Sequence, residues 1–153
     1  MARVPVQLYI YDLSQGMART FSMDFMERQF DGIWHTSVVV HGKEWYFGYG
    51  ILNDIPGGTI LGPPLKIINM GETEVSEETI SEYIDEIRPN FTPDKYHLLD
   101  NNCNTFSNKF CEFLTGNNIP DYIINLPADF LSTPRGRLFR PVLESMFGPS
   151  RHP

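Results

Sequence analysis

The sequence predicts an α+β domain, an antiparallel β-sheet packed against helices, and three observations predict it. Strand-like runs crowd the first 70 residues, helical periodicity dominates after residue 76, and the two kinds of segment follow one another instead of alternating.

Residues 6–12 (VQLYIYD) are rich in β-branched and aromatic types and predict a strand. Residues 22–30 (SMDFMERQF) predict a short helix capped by Ser22. Residues 32–50 (GIWHTSVVVHGKEWYFGYG) predict a hairpin that turns at His41-Gly42-Lys43. A loop dense in Gly and Pro follows over 54–64, and the strand LKIINM (65–70) closes the β-rich half. Ser76 then caps a helix running to about Arg88, with Ile80, Tyr83, Ile84 and Ile87 on one stripe. Val75 and Ile80 are placed to staple its start. YHLL (96–99) predicts a short strand. The next helix opens in DNNCNTF, runs to Leu114 and stops at Thr115-Gly116. Thr133-Pro134 opens a last helix, which Pro141 kinks or shortens. Without repeats or linkers, one domain is expected over 1–148 with a short tail at 149–153.

Composition removes several function classes. At 153 residues with 41% apolar and 20% charged residues, the chain is long enough and apolar enough to bury an ordinary core. A net charge of −7 with 12 scattered basic residues argues against nucleic acid, which requires clustered Lys and Arg. Arg135, Arg137 and Arg140 read as a solvated face. No apolar run reaches the ~20 residues of a membrane span, and MARVPVQLYIYDL is not patterned as a secretory signal. Cys103 and Cys111 lie eight apart in one predicted helix, about 12 Å along its axis, too far for a disulfide. Two thiols fit a reducing compartment, so the expected location is cytoplasmic and nuclear. Two Cys and four scattered His show no metal-ligand spacing, and neither metal nor cofactor is expected.

The chemistry-bearing feature is DNNCNTFSNKFCEFLTG (100–116). Asn101 or Asn102 is a good N-cap, which puts Cys103 in the first turn, where free N–H groups and the helix dipole favour a thiolate and stabilise an oxyanion. Phe106, Phe110, Phe113 and Leu114 define the buried stripe, and Cys103 points inward with it. Cys111, among the same aromatics, reads as core. A nucleophilic Cys needs a base. His152 falls in the tail and His41 in a turn; His97 is a reserve. His35, after Trp34 at the start of a half-buried strand, needs a partner and is the better candidate.

On these residues the chain resembles a known family. GIWHTSVVV, EWYFGYGI, PGGT, LGPP, HLLDNNCNTFSN and FLTG, with YDLSQGMAR and LPADFLSTPRG, are similar to the PPPDE peptidases, from about Val6 to Phe147. That family has a permuted papain-like cysteine peptidase fold and includes the DeSI desumoylating isopeptidases. The resemblance implies a papain-like site in reversed chain order, with His35 and Cys103 as the catalytic dyad. It implies hydrolysis of the isopeptide bond between the C-terminal glycine of a SUMO-like or ubiquitin-like modifier and a substrate lysine. It also allows a homodimer with a groove at its interface.

Around the dyad, Glu44 and Tyr46 are candidates for orienting the ring. Asn102 is an oxyanion donor or, more simply, a cap. Trp34, Trp45, Gly57 and Gly58 are candidate walls of a channel narrow enough for a Gly-Gly tail. Deubiquitination or protein S-acyl (palmitoyl) thioester hydrolysis would use the same dyad. A reading of another class is a modifier-binding adaptor without catalysis. Within RLFRPVLESMF (137–147), apolar spacing suits either a core face or a leucine-type export element.

Overall fold

The computed structural model describes residues 2–26, 29–133, 137–138 and 140–141. Five strands form one sheet: β1 (Val4–Asp12), β2 (Trp34–Val40), β3 (Lys43–Gly48), β4 (Gly50–Asp54) and β5 (Lys66–Thr73). Their order is β4-β3-β2-β1-β5, and every neighbouring pair is antiparallel. The hairpin forms where expected: His41 (φ 50°) and Gly42 (φ 70°) take the left-handed conformations of a two-residue turn.

Alternation gives the sheet two different faces. Leu8, Ile10, Val38, Val40, Trp45 and Phe47 are buried against helices, in a core that also holds Phe106 and Phe110. The opposite face carries Tyr11, His35, Ser37, Glu44 and Tyr46, linked by ring contacts and hydrogen bonds.

Two longer helices cover the apolar face. In α2 (Glu77–Ile87) the Thr79 N–H donates to Ser76 Oγ at 3.2 Å, and Ile80, Ile84 and Ile87 are buried, as the stripe predicts. Val75 packs against the same core cluster that holds Ile80. In α3 (Cys103–Thr115) the C-cap is Gly116 at φ 79°. Trp45 meets Phe110 edge-on at 6.3 Å, and Phe91 meets Phe106 at 5.5 Å. Phe113 departs from its expected place in the buried stripe. It lies at the stripe's edge, 36% exposed, stacked on Tyr83 at 3.7 Å.

Other elements differ from the sequence reading for tertiary reasons. The first helix, α1 (Met17–Met26), starts five residues before Ser22, which lies inside it. Its entry is set by Asp12 and Ser14: Asp12 accepts from the Ser14 and Gly16 N–H groups at 2.9 and 2.8 Å, and Ser14 Oγ accepts from the Ala18 N–H at 3.1 Å. β4 was not foreseen, because ILND has little β signal and pairs only through its partner β3. YHLL forms no strand; His97 and Asn101 make one isolated bridge across a turn. Two short helices, α4 (Asp121–Ile124) and α5 (Leu126–Leu131), were also unread. Pro134, the chain beyond Pro141, Arg135 and the tail lie outside the described residues, and with them most of the expected last helix and of segment 137–147. Arg137 and Arg140 are exposed. No helix among the described residues is long and apolar enough to cross a membrane.

Candidate active site

Asn102 decides where Cys103 sits. Its Oδ1 accepts from the N–H groups of Asn104 (2.9 Å) and Thr105 (3.1 Å), while Thr105 Oγ1 accepts from the Asn102 N–H at 3.1 Å, a complete capping box. Its Nδ2 donates to the Leu98 carbonyl at 2.7 Å. Asn102 is thus a cap on both sides, and nothing in this geometry turns it to an oxyanion. Cys103 follows as the first residue of α3.

The sheet opens to receive that helix start. β2 pairs with β1 from Trp34 to Val39 but with β3 only from Val38 to Val40. Along the open stretch, α3 stands in for the missing strand. Asn104 Nδ2 donates to the Trp34 carbonyl at 3.0 Å, and Ser107 Oγ donates to the Thr36 carbonyl at 3.1 Å. The Thr36 backbone N–H meets the Cys103 sulfur. Thr36 Oγ1 also donates to Asn104 Oδ1 at 2.7 Å. Cys103 is thereby fixed one peptide unit from His35.

Burial governs both ionisable groups. Cys103 has no solvent exposure, and desolvation pushes its thiol up to about 12 despite the N–H groups of Thr36, Asn104 and Cys103 that pull the other way. The helix-start thiolate expected from position alone is therefore not the resting form. The Sγ–H donates to Asn104 Oδ1 at 3.8 Å, not to the imidazole. His35 keeps some contact with solvent, yet desolvation lowers its pKa from 6.5 to about 4. Thiol and imidazole both rest neutral.

The imidazole is held by rings. Tyr11 lies opposite His35 in the β1–β2 register, with ring centroids 5.9 Å apart, and Tyr46 meets His35 edge-on at 6.3 Å. Glu44, a candidate for orienting the ring, is fully buried and makes no hydrogen bond to it. Its Oε2 accepts from Tyr11 OH at 2.6 Å and from Ser37 Oγ, and its Oε1 accepts from the Gly57 N–H at 2.9 Å. Among the described residues no hydrogen bond is made to the His35 ring. The other described histidines are occupied elsewhere. His41 Nε2 contacts the Val75 carbonyl at 2.8 Å, and His97 Nδ1 accepts from the Leu99 and Asp100 N–H groups at 3.2 and 3.1 Å, which fixes a turn.

A cleft of about 830 Å³ opens beside Tyr11 and Trp34, with residues 60–65 along one wall. The Gly-Pro loop therefore does border a groove, through Ile60, Leu61, Pro63 and Pro64. Gly57 and Gly58, expected to line it, shape the turn instead: Gly57 sits at φ 75°, and a Cβ on Gly58 would meet the Ile55 carbonyl at 2.9 Å. Trp45 is 7% exposed and belongs to the core under the sheet. Trp34 alone of the four lines the cleft.

The family described as "PPPDE putative peptidase domain" matches residues 4–144. The chain belongs to the PPPDE peptidase family. Two vertebrate relatives match across nearly the whole chain, and a nematode one across less of it. Desumoylating isopeptidase 1 of Homo sapiens is 49% identical over 144 residues, covering 93% of this chain and 86% of the relative. The Xenopus laevis protein of the same name is 47% identical over 143 residues, covering 92% and 85%. A Caenorhabditis elegans homolog of the same protein is 32% identical over 131 residues, covering 79% of this chain and 37% of the relative. This PPPDE peptidase is accordingly an α+β cysteine-type hydrolase with its strand His before its helix Cys. Sequence reasoning missed Thr36, Asn104, Ser107 and Tyr11. The first three stand beside the two motif residues, in WHTS and NCNTFS, and their hydrogen bonds exist only once α3 docks on β2.

Proposed function

We propose that this chain is a desumoylating isopeptidase in which Cys103 is the nucleophile and His35 the proton carrier. The observation that carries the reading is the docking of the Cys103 end of α3 onto β2, where Asn104 bonds the Trp34 carbonyl and Thr36 Oγ1 on either side of His35. The 49% identity to a relative named for desumoylation supports the choice of modifier.

The sulfur attacks the carbonyl carbon between the modifier's C-terminal glycine and the lysine Nζ, and the thiol proton passes to His35. The Cys103 N–H, with the Thr36 N–H as second donor, holds the oxyanion. Collapse breaks the C–N bond, and His35 returns the proton to the departing amine. His35 then takes a proton from water, whose oxygen attacks the thioester and releases the carboxylate and the thiol. The cleft beside Trp34, walled by Pro63 and Pro64, is the path for the extended tail. The free thiols of Cys103 and Cys111 support a cytoplasmic and nuclear setting.

The test is cleavage of purified SUMO–lysine and ubiquitin–lysine conjugates by the native chain, Cys103→Ser and His35→Ala. Release of SUMO by the native chain alone is the expected result. Release of ubiquitin instead would retain the dyad and overturn the specificity. A second reading, S-acyl thioesterase, draws on the apolar lining of the cleft by Leu13, Trp34, Ile60, Leu61 and Leu65. Turnover of an acyl thioester with both conjugates left intact would favour it.

A further inference from the structure

Glu44 is a carboxylate with no solvent exposure and no cation among its hydrogen-bond partners, an expensive thing to bury. What it holds is informative. Through Oε2 it fixes the hydroxyl of Tyr11, whose ring lies against the imidazole of His35. Through Oε1 it fixes the N–H of Gly57, the start of the loop whose residues 60–65 wall the cleft. Tyr11 itself lines that cleft, and Thr59 of the same loop hydrogen-bonds to it. The imidazole, lacking a hydrogen bond of its own among the described residues, takes its orientation from Tyr11 and Tyr46.

We propose that Glu44 is a positioning residue that registers His35 and the cleft wall with one carboxylate, acting on the ring through Tyr11 and on the wall through Gly57. The inference rests on the reading of His35 as the proton carrier. Without the Glu44 bond, the Tyr11 hydroxyl keeps only the neutral hydroxyls of Thr59 and Ser37, and its ring loses the anchor that sets it against the imidazole. Without the Gly57 bond, the wall loses its tie to the sheet.

The experiment uses the whole chain with isotope-labelled histidine, as Glu44→Gln, Tyr11→Phe and the double variant. The His35 ring resonances are followed by NMR, and kcat and KM are measured on a SUMO–lysine conjugate. Both single variants are expected to shift or broaden the His35 signals while leaving those of His41 and His97 in place. Both should lower kcat by about tenfold to a hundredfold, the scale of a misplaced catalytic group. The double variant should be no slower than Glu44→Gln, because both changes cut the same link. KM should rise in Glu44→Gln, which also loosens the wall, and not in Tyr11→Phe. Unmoved His35 resonances with kcat within about twofold of native, or simply additive losses, would overturn the proposal. If Glu44→Gln does not fold, Tyr11→Phe alone decides. If even the native chain leaves the conjugate intact, the substrate reading has failed, and the His35 resonances still decide on Glu44.

Discussion

At rest the thiol of Cys103 and the imidazole of His35 are both neutral, the first held near 12 and the second near 4 by burial. In the proposed mechanism, proton transfer accompanies arrival of the substrate carbonyl and does not start from a preformed ion pair. The depressed pKa of His35 has a consequence for stability. The unfolded chain binds this proton at about 6.5 and the folded chain only near 4, so His35 costs no stability above 6.5. Stability falls as pH drops from 6.5 through 4, by at most roughly 3 kcal/mol from this group. Chemical denaturation at pH 7.5 and pH 4.5 should show a smaller acid loss in His35→Ala than in the native chain; equal losses would mean the ring titrates normally. Asn104 carries the second prediction at this scale. It bonds Trp34 O, Thr36 Oγ1 and the Cys103 thiol from a buried position. Asn104→Ala leaves buried partners unsatisfied and should cost about 1–3 kcal/mol in a denaturant titration, with a drop in kcat.

Between elements, α3 docks where β3 leaves β2, so the helix that carries Cys103 completes the hydrogen bonding of the strand that carries His35. On its other side Cys103 shares an apolar cluster with Phe30, Leu98 and Leu126, and α5 contributes Leu126 and packs Phe130 and Leu131 against it. This cover helps keep the Cys103 sulfur out of solvent. Leu126→Ala, which removes about 2–5 kcal/mol of packing, should speed alkylation of Cys103 by iodoacetamide at least about tenfold while Cys111 stays slow. An unchanged Cys103 rate would mean that entry does not pass α5. Much of the element plan was legible because its signals are local. The Asn102 cap, the His41-Gly42 turn, the Ser76 cap and the Gly116 stop are each written within a few residues. The start of α1 is set by Asp12, which also accepts from the Ile33 N–H across 21 residues, and β4 exists by pairing with β3. Neither leaves a mark in its own segment.

For the whole molecule, the sheet divides into an apolar helix-bearing face and a polar face of Tyr11, His35, Ser37, Glu44 and Tyr46, and the start of α3 brings Cys103 to the open stretch of β2. The core sits under Phe47, Phe106 and Phe110, all essentially unexposed. Phe110→Ala should destabilise by about 3–5 kcal/mol in a thermal or denaturant melt, whereas Glu44→Gln acts mainly on the site. The proposed pair, Cys103 and His35, stands out in the sequence because the family motif surrounds each of them. The channel does not: Trp45 and Trp34 are alike in sequence, and only the alternation of β3 against α3 sends Trp45 into the core. Glu44 was legible as a residue of interest and misread in its contact, since Tyr11 comes between it and the ring by the register of β1 on β2. The central claim, that Cys103 with His35 attacks the C-terminal carbonyl of SUMO, is tested most directly by mixing the native chain with SUMO bearing a C-terminal electrophile and locating the adduct by peptide mass spectrometry. A single SUMO adduct on Cys103 is expected, slowed at least about a hundredfold in His35→Ala; an adduct on Cys111, or one on Cys103 that forms as fast without His35, would contradict the claim.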